Sequence, residues 1–321
     1  MTPTVSDRFP DLLPVVCGPT ASGKTSLAVR LAHRFDGEII SADSRQVYRG
    51  LDIGSGKDLH EYTVEGKPVP YHLIDIADPH EIYTLHHYQH DCYRVLNEIR
   101  GRGTLPILCG GTGLYIEAVL RGYSLPEVPE NRALRNRLRT CSREELEEML
   151  RGLDTGRLHR TDLSSRKRII RAIEIVTSGK NEAPDLPTNP PRPSIVPLIL
   201  CTRFKRAELH ERISRRLAAR LDEGMIGEVA ALRETGVPDE RLLMLGMEYR
   251  HITLHLRDAT DYDTMVENLR RSIFHLAKRQ ETWFRGMERR GSRDGIPWRF
   301  HWVDDADFET AYGIVCKYVP C

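Results

Sequence analysis

Residues 18–26 read GPTASGKTS and fit the pattern G-x-x-x-x-G-K-[ST] through Gly18, Gly23, Lys24 and Thr25. Chemistry with phosphates asks for these residue types. Thr20, Ala21, Ser22 and Gly23 are small enough for backbone N–H groups to approach phosphate oxygens, and a following helix adds the partial positive charge of its N-terminus. Lys24 supplies a full charge, and the Thr25 hydroxyl is a candidate magnesium ligand. The loop specifies a diphosphate or polyphosphate; it does not by itself specify ATP. Two aspartates come next in interest. Asp43 lies in IISADSRQVYRG and Asp75 in YHLIDI, each after apolar residues, where a magnesium-binding or proton-accepting carboxylate would sit. Periodicity does not rank them. The plainer reading of Asp43 is the cap of a turn in S-A-D-S.

Gly110-Gly111-Thr112-Gly113 follows an apolar run and opens LYIEAVLRG. Its glycines would let a backbone pass close to a ligand, and the plainer reading is a tight turn with Thr112 as helix N-cap. His86 with His90, and His251 with His255, have a four-residue spacing that could serve a metal, but neither pair has a third ligand of matching spacing. Arg203, Lys205, Arg206, Arg212, Arg215, Arg216 and Arg220 form one basic run, and Arg270 to Arg290 another beside Trp283 and Phe284. Such runs suit a polyanion larger than a nucleotide, or an ordinary solvated face.

The elements that must position these residues alternate. LLPVVC, EII, YHLIDI and LPILC are predicted strands, TSLAVRLAHRF is a helix, and TLHHYQHDCYRVLNEIRGRG is a helix ending at Gly101. Strand and helix in alternation predict an α/β fold, a P-loop NTPase-like parallel sheet with flanking helices. After Gly122 the character changes. Arg132 to Arg171 is helical and holds 12 Lys and Arg against 6 Asp and Glu, which predicts a helical insertion. Residues 178–194 are Pro-rich and read as a linker, and SIVPLILC as a strand returning to the sheet. The expected division is a core of residues 10–122 and 194–321, with an insertion and linker at 123–193.

With 321 residues, 40% hydrophobic and 29% charged, the chain is long enough to bury a core and is not of a disordered composition. Its net charge of +1 predicts no global affinity for nucleic acid, so any such affinity must be local. Seven cysteines without a C-x-x-C pair argue against a disulfide framework. No secretory signal and no membrane-length apolar run are present in this sequence, so a cytoplasmic location with no membrane partner is expected.

Taken in order, GPTASGKTSLA, IISADSRQVYRGLDIGSGK, YHLIDI, LPILCGGTGLYIEAVL, RKRIIRAIEI, LHERISRRLAARLDEG and AKRQETWFRG resemble the tRNA dimethylallyltransferases, over most of the chain from about Val15 to Arg285. The resemblance implies a bacterial-type enzyme. Its P-loop would hold the diphosphate of dimethylallyl diphosphate, with Mg2+ at Thr25. Its acceptor would be N6 of adenosine 37, beside the anticodon of a tRNA carrying A36-A37-A38. It implies that Asp43 is the general base, and that Gly18 and Thr20 to Thr25 contact the diphosphate. Arg212 or Arg216 would reach the diphosphate from the far wall. Ser44, Arg45, Gln46, Thr112, Arg135, Lys167, Arg168 and Arg171 fall at positions that meet tRNA, and Gln46 suits bidentate reading of an adenine edge. Around Gly246, in LMLGME, the aromatic and basic residues of the family pattern are missing. A monomer is expected. Alternatives are a prenyltransferase acting on free adenine nucleotides, a small-molecule P-loop kinase and a non-catalytic RNA-binding module.

Overall fold

The computed structural model describes residues 11–126, 128, 130–179, 190–296 and 298–319. The chain divides into two compact units, Met1–Gly122 with Pro190–Cys321, and Tyr123–Asn189. Most of the Pro-rich linker falls at residues 180–189, outside the described residues.

In the larger unit, β1 (Leu12–Cys17) leads into α1 (Lys24–Arg34) and β2 (Glu38–Ser41), then a small antiparallel hairpin, β3 (Thr63–Val64) and β4 (Lys67–Pro68). Next come β5 (Tyr71–His72), α2 (Leu85–Gly101), β6 (Pro106–Gly110) and α3 (Gly113–Arg121). After the smaller unit the chain returns as β7 (Val196–Arg203). The six-stranded sheet has the order β5-β2-β6-β1-β7-β8, with β8 at Arg299–Asp304, and every pairing in it is parallel. Central β1 is buried at all six residues. Leu12 and Val16 join one core cluster; Leu13, Val15 and Cys17 join the other. This is the period-2 alternation of a strand covered on both faces, which is why it reads as a continuous apolar run. Helix α1 carries Leu27, Ala28, Leu31 and Ala32 into the first cluster. Helix α2 starts at a capping box, in which the Thr84 hydroxyl accepts from the His87 amide.

YHLIDI is a strand only at Tyr71–His72. Leu73 and Asp75 have φ of +63° and +57°, so the pleat cannot continue. Cys17, Cys92, Cys109, Cys141 and Cys201 are free thiols. No helix among the described residues is long and apolar enough to cross a membrane.

The smaller unit holds α4 (Arg132–Leu138), α5 (Arg143–Leu153), α6 (Thr155–Arg160) and α7 (Arg166–Thr177), packed on Leu138, Leu146, Leu150, Ile169 and Ile173. In the larger unit the C-terminal part adds α8 (Arg206–Glu223), α9 (Met225–Glu234), α10 (Asp239–Leu245), α11 (Met247–His255), α12 (Tyr262–Arg293) and, after β8, α13 (Phe308–Val315). A third core ties these helices to the segment after Asp43. Val47, Tyr48 and Leu51 pack with Leu217, Val229, Leu242, Tyr249 and Leu269.

Candidate active site

Strands β2, β6 and β1 are neighbours in the sheet, and the carboxyl end of each runs into one sequence motif: the Asp43 segment, the Gly110–Gly113 turn and the P-loop. Ligands of open parallel α/β sheets bind at this edge. The approach is close. A Cβ on Gly110 would lie 2.2 Å from the Ala42 carbonyl oxygen, so only glycine lets β6 pass the root of the Asp43 segment. The Thr112 amide donates to that same carbonyl at 3.1 Å. Thr112 occupies the N-cap position of α3, but its hydroxyl makes no cap. It accepts instead from the Ser44 amide at 3.1 Å, pinning the residue next to Asp43.

Asp43 is half-buried. Its Oδ1 accepts from the Arg45 amide at 2.8 Å and from the Gln46 amide at 3.4 Å, so the turn-cap reading is correct for that oxygen. Oδ2 has no hydrogen-bond partner among the described residues. The cap therefore aims the carboxylate and leaves one oxygen free to accept a proton. Gln46 is held at both ends of its amide. Its Oε1 accepts from the Ser41 hydroxyl at 3.0 Å and its Nε2 donates to the Gly56 carbonyl at 2.9 Å. Each end keeps one further bonding position, an acceptor on Oε1 and a donor on Nε2. The competing carboxylate, Asp75, is bound to the buried Lys57, which also pairs with Asp52 at 2.5 Å. Asp75 belongs to a structural ion pair.

In the P-loop, Gly18 begins the turn and Ala21 takes a left-handed φ of +61°. Ser22 is fully buried, its hydroxyl 2.6 Å from that of Thr202, so Ser22 can offer a ligand only its backbone. Gly23 caps α1, whose first turn has no acidic residue to repel an anion. Lys24 Nζ donates to the Pro19 carbonyl at 3.2 Å. Burial lowers the Lys24 pKa and the Arg216 charge lowers it further, with Asp43 partly opposing. The half-buried Thr25 hydroxyl has no hydrogen-bond partner among the described residues. Those residues contain no group of three or more His, Cys, Asp or Glu that could hold a metal. A magnesium ion at Thr25 would thus take its other ligands from water and a bound phosphate, as Mg2+ commonly does.

Helix α8 forms the far wall. Arg212 Nε donates to the Ala21 carbonyl at 2.9 Å, and its guanidinium lies 4.6 Å over the Phe204 ring. Arg216 Nη2 and Arg220 Nη2 both meet Asp58 Oδ2, at 2.6 and 3.3 Å. A cavity is lined by Thr20, Ala21, Arg216, Arg220 and Glu248, with Ile213, Leu217, Met225 and Ile273 as its apolar wall. Burial raises the pKa of Glu248 and the Asp43 charge adds to this; Arg220 and Arg45 oppose it. From α12, Gln280 bridges two motifs: its Oε1 accepts from the Thr20 amide at 2.8 Å and its Nε2 donates to the Gly111 carbonyl at 2.9 Å.

Sequence reasoning missed Gln280, Asp58 and the place of Glu248 in the cavity lining. It also missed Glu228, whose carboxylate accepts from the amides of Asp52 at 2.8 Å, Ile53 at 2.6 Å and Gly54 at 3.1 Å, and from the Tyr249 hydroxyl at 2.8 Å. Their partners are distant in the chain, 260 positions for Gln280 with Thr20 and 158 for Asp58 with Arg216, so no local pattern reveals them.

The basic candidates of the smaller unit divide. Arg135 makes a bidentate pair with the buried Glu174, at 3.0 and 2.9 Å, and also meets Glu130. Arg171 reaches the same Glu174 at 2.5 Å and the Val128 carbonyl at 2.8 Å. Both arginines thus tie Glu174 into the unit while keeping about a third of each side chain exposed. The Arg171–Glu174 spacing of one helical turn was the available clue. Lys167 and Arg168 are exposed, and Arg168 pairs with Asp162 at 2.6 Å.

The long basic runs are partly neutralised by Arg203–Asp304, Arg270–Glu267, Arg285–Glu281 and Arg290–Glu117 pairs. Phe284 is in the core. Arg215, Lys278, Arg279 and Arg289 remain exposed, without ion pairs among the described residues. Of the histidine pairs, His251 meets the Ser272 hydroxyl and His255 the Thr260 carbonyl, and neither pair belongs to a metal cluster among the described residues.

The model of the IPP transferase family matches residues 46–287, and that of isopentenyl transferase matches residues 12–67. A protein named tRNA dimethylallyltransferase 1 from Parabacteroides distasonis is 50% identical over 290 residues, 90% of this chain and 91% of its own length. A namesake from Syntrophus aciditrophicus is 48% identical over 300 residues, 93% and 95% of the two chains. The crystal structure of the tRNA isopentenylpyrophosphate transferase of Bacillus halodurans superposes with a TM-score of 0.66 at 31% identity, covering 96% of this chain and 95% of that one. A eukaryotic dimethylallyltransferase acting on tRNA shares the fold, with a TM-score of 0.70 at 21% identity over 93% of this chain and 75% of that one. This chain belongs to the IPP transferase family.

Proposed function

We propose that this protein transfers the dimethylallyl group of dimethylallyl diphosphate to tRNA, at N6 of adenosine 37 next to the anticodon, releasing diphosphate. The observation that carries the reading is the meeting, at one sheet edge, of a P-loop and a capped aspartate with one oxygen to spare. The cavity beside the P-loop adds support. Its lining combines Arg216, Arg220 and Glu248 with Ile213, Leu217, Met225 and Ile273, and this mix of charged and apolar groups supports a site for a diphosphate with a five-carbon tail.

The exocyclic adenine nitrogen is a weak nucleophile because its lone pair is delocalised into the ring. Its electron pair forms the new bond to the allylic carbon. The carbon–oxygen bond breaks and its electron pair leaves with the diphosphate. The N6 proton passes to Asp43 Oδ2, which raises the nitrogen's electron density during attack. P-loop amides, Lys24 and an arginine of α8 stabilise the charge that grows on the leaving diphosphate. Thr25 and the diphosphate oxygens would hold a magnesium ion, which supplies further neutralisation of that charge. The target base must leave the anticodon-loop stack, at a cost of a few kcal/mol.

The test is label transfer. Protein, magnesium and labelled dimethylallyl diphosphate are mixed with an A36-A37-A38 anticodon minihelix, with AMP, or with ATP and no RNA. Label in the minihelix at N6 of the central adenosine is expected. Label in AMP alone would instead support a free-nucleotide prenyltransferase, and ATP consumption without prenyl transfer a kinase.

A further inference from the structure

Three guanidiniums border the P-loop, but only two share an internal anion. Arg216 Nη2 and Arg220 Nη2 converge on a single oxygen, Asp58 Oδ2, at 2.6 and 3.3 Å. Both arginines line the cavity that Thr20 and Ala21 of the P-loop also line. An oxygen shared by two guanidiniums beside a phosphate loop is in the chemical position of a phosphate oxygen. The contact is also built at a cost. Asp58 takes a left-handed φ of +43°, unusual for a residue other than glycine. Two residues earlier, a Cβ on Gly56 would lie 1.8 Å from Arg220 Nη2 and 2.6 Å from Arg216 Nη2, so this turn is shaped around the two side chains. Burial alone would push the Asp58 carboxyl up, but the Arg216 and Arg220 charges outweigh it and hold it below the usual range.

We infer that Asp58 is a positioning residue acting as a resident counter-anion. It holds Arg216 and Arg220 at the cavity wall, and it yields at least Arg216 to a diphosphate oxygen when ligand binds. The inference rests on the P-loop being a diphosphate site, as in the proposed function. Its consequence concerns product. Each diphosphate bound must displace the Asp58 contact and then lie near its negative charge, so Asp58 weakens diphosphate retention and speeds release. Asparagine keeps the tolerance for left-handed backbone, so Asp58→Asn preserves the turn while removing the charge.

The experiment titrates magnesium pyrophosphate into the full-length wild type, Asp58→Asn and Asp58→Glu by calorimetry, with steady-state prenyl transfer measured in parallel. Asp58→Asn should bind pyrophosphate about tenfold more tightly, as one charge-assisted contact no longer has to be exchanged. Its KM for the donor and its kcat should fall together, with release becoming limiting, and Asp58→Glu should move both back toward wild type. Unchanged or weaker pyrophosphate binding by Asp58→Asn would overturn the inference, because a merely structural Asp58 would lose affinity. So would a wild type that binds no pyrophosphate. If the wild type binds pyrophosphate and the Asn variant tightens it, but no prenyl group reaches tRNA, the counter-anion stands and the proposed function fails.

Discussion

Asp43 divides its carboxylate between two tasks. Oδ1 is spent on the amides of Arg45 and Gln46, and Oδ2 is left over. The division makes a specific prediction at this one residue. Asp43→Asn keeps an oxygen that can cap the turn but removes the proton acceptor, so it should fold normally, bind RNA as wild type does, and turn over about 10²- to 10⁴-fold more slowly. Asp43→Ala should lose the same turnover and, through the missing cap, about 1 kcal/mol of stability. Rates from single-turnover transfer and melting curves separate the two losses; normal turnover by the Asn variant would end the general-base assignment. Thr112 presents a related case. Its hydroxyl holds the Ser44 amide, so Thr112→Val should leave that amide unpaired, cost about 1–3 kcal/mol and slow transfer without altering pyrophosphate affinity.

At the scale of elements, the sequence was most legible where a local pattern carries the whole reason for a structure. The glycines and lysine of the P-loop, the six-residue β1 and the capped α2 all declare themselves within a few residues. Legibility failed where the partner is remote. Thr20 and Gln280 are 260 positions apart, and Glu228 braces residues 52–54 from 174 to 176 positions away. YHLIDI looked like a full strand because apolar content cannot reveal that Leu73 and Asp75 turn to positive φ, with Lys57 binding the aspartate.

The Glu228 brace gives one prediction. Glu228→Gln should bind the three amides less well, cost about 2 kcal/mol and loosen the 52–58 segment, seen as faster hydrogen exchange there. The smaller unit gives another. Burial raises the Glu174 carboxyl, but hydrogen bonds from Arg135 and Arg171 win and hold it below the usual carboxylate range. The ionised carboxylate is therefore the stabilising form. Its contribution is complete above about pH 4.5 and is lost as pH falls through the lower folded pKa. Glu174→Gln should destabilise this unit by about 3 kcal/mol at neutral pH and flatten that acid limb, since it strands two paired guanidiniums.

For the whole molecule, 47 basic residues against 46 acidic ones mean that RNA affinity cannot come from net charge. Much of the apparent basic surface is cancelled in place, as at Arg285–Glu281 and Arg271–Glu267. The cations without partners among the described residues are the ones to test, and Lys278 and Arg279 are adjacent on α12, two residues and one residue before Gln280. A Lys278→Ala/Arg279→Ala variant should weaken tRNA binding about equally for all sequences and reduce the salt slope of binding by about 1–2. Its melting temperature should not change. An unaltered slope would place the RNA elsewhere.

The measurement that bears most directly on the account is a structure of the protein with an unreactive dimethylallyl diphosphate analogue and an anticodon minihelix together. The account predicts the diphosphate on the amides of Thr20 to Thr25, the five-carbon tail against Ile213 and Leu217, and Asp43 Oδ2 about 3 Å from an adenine exocyclic nitrogen. A diphosphate bound away from the P-loop, or an extruded base whose amine lies out of reach of Asp43, would contradict it.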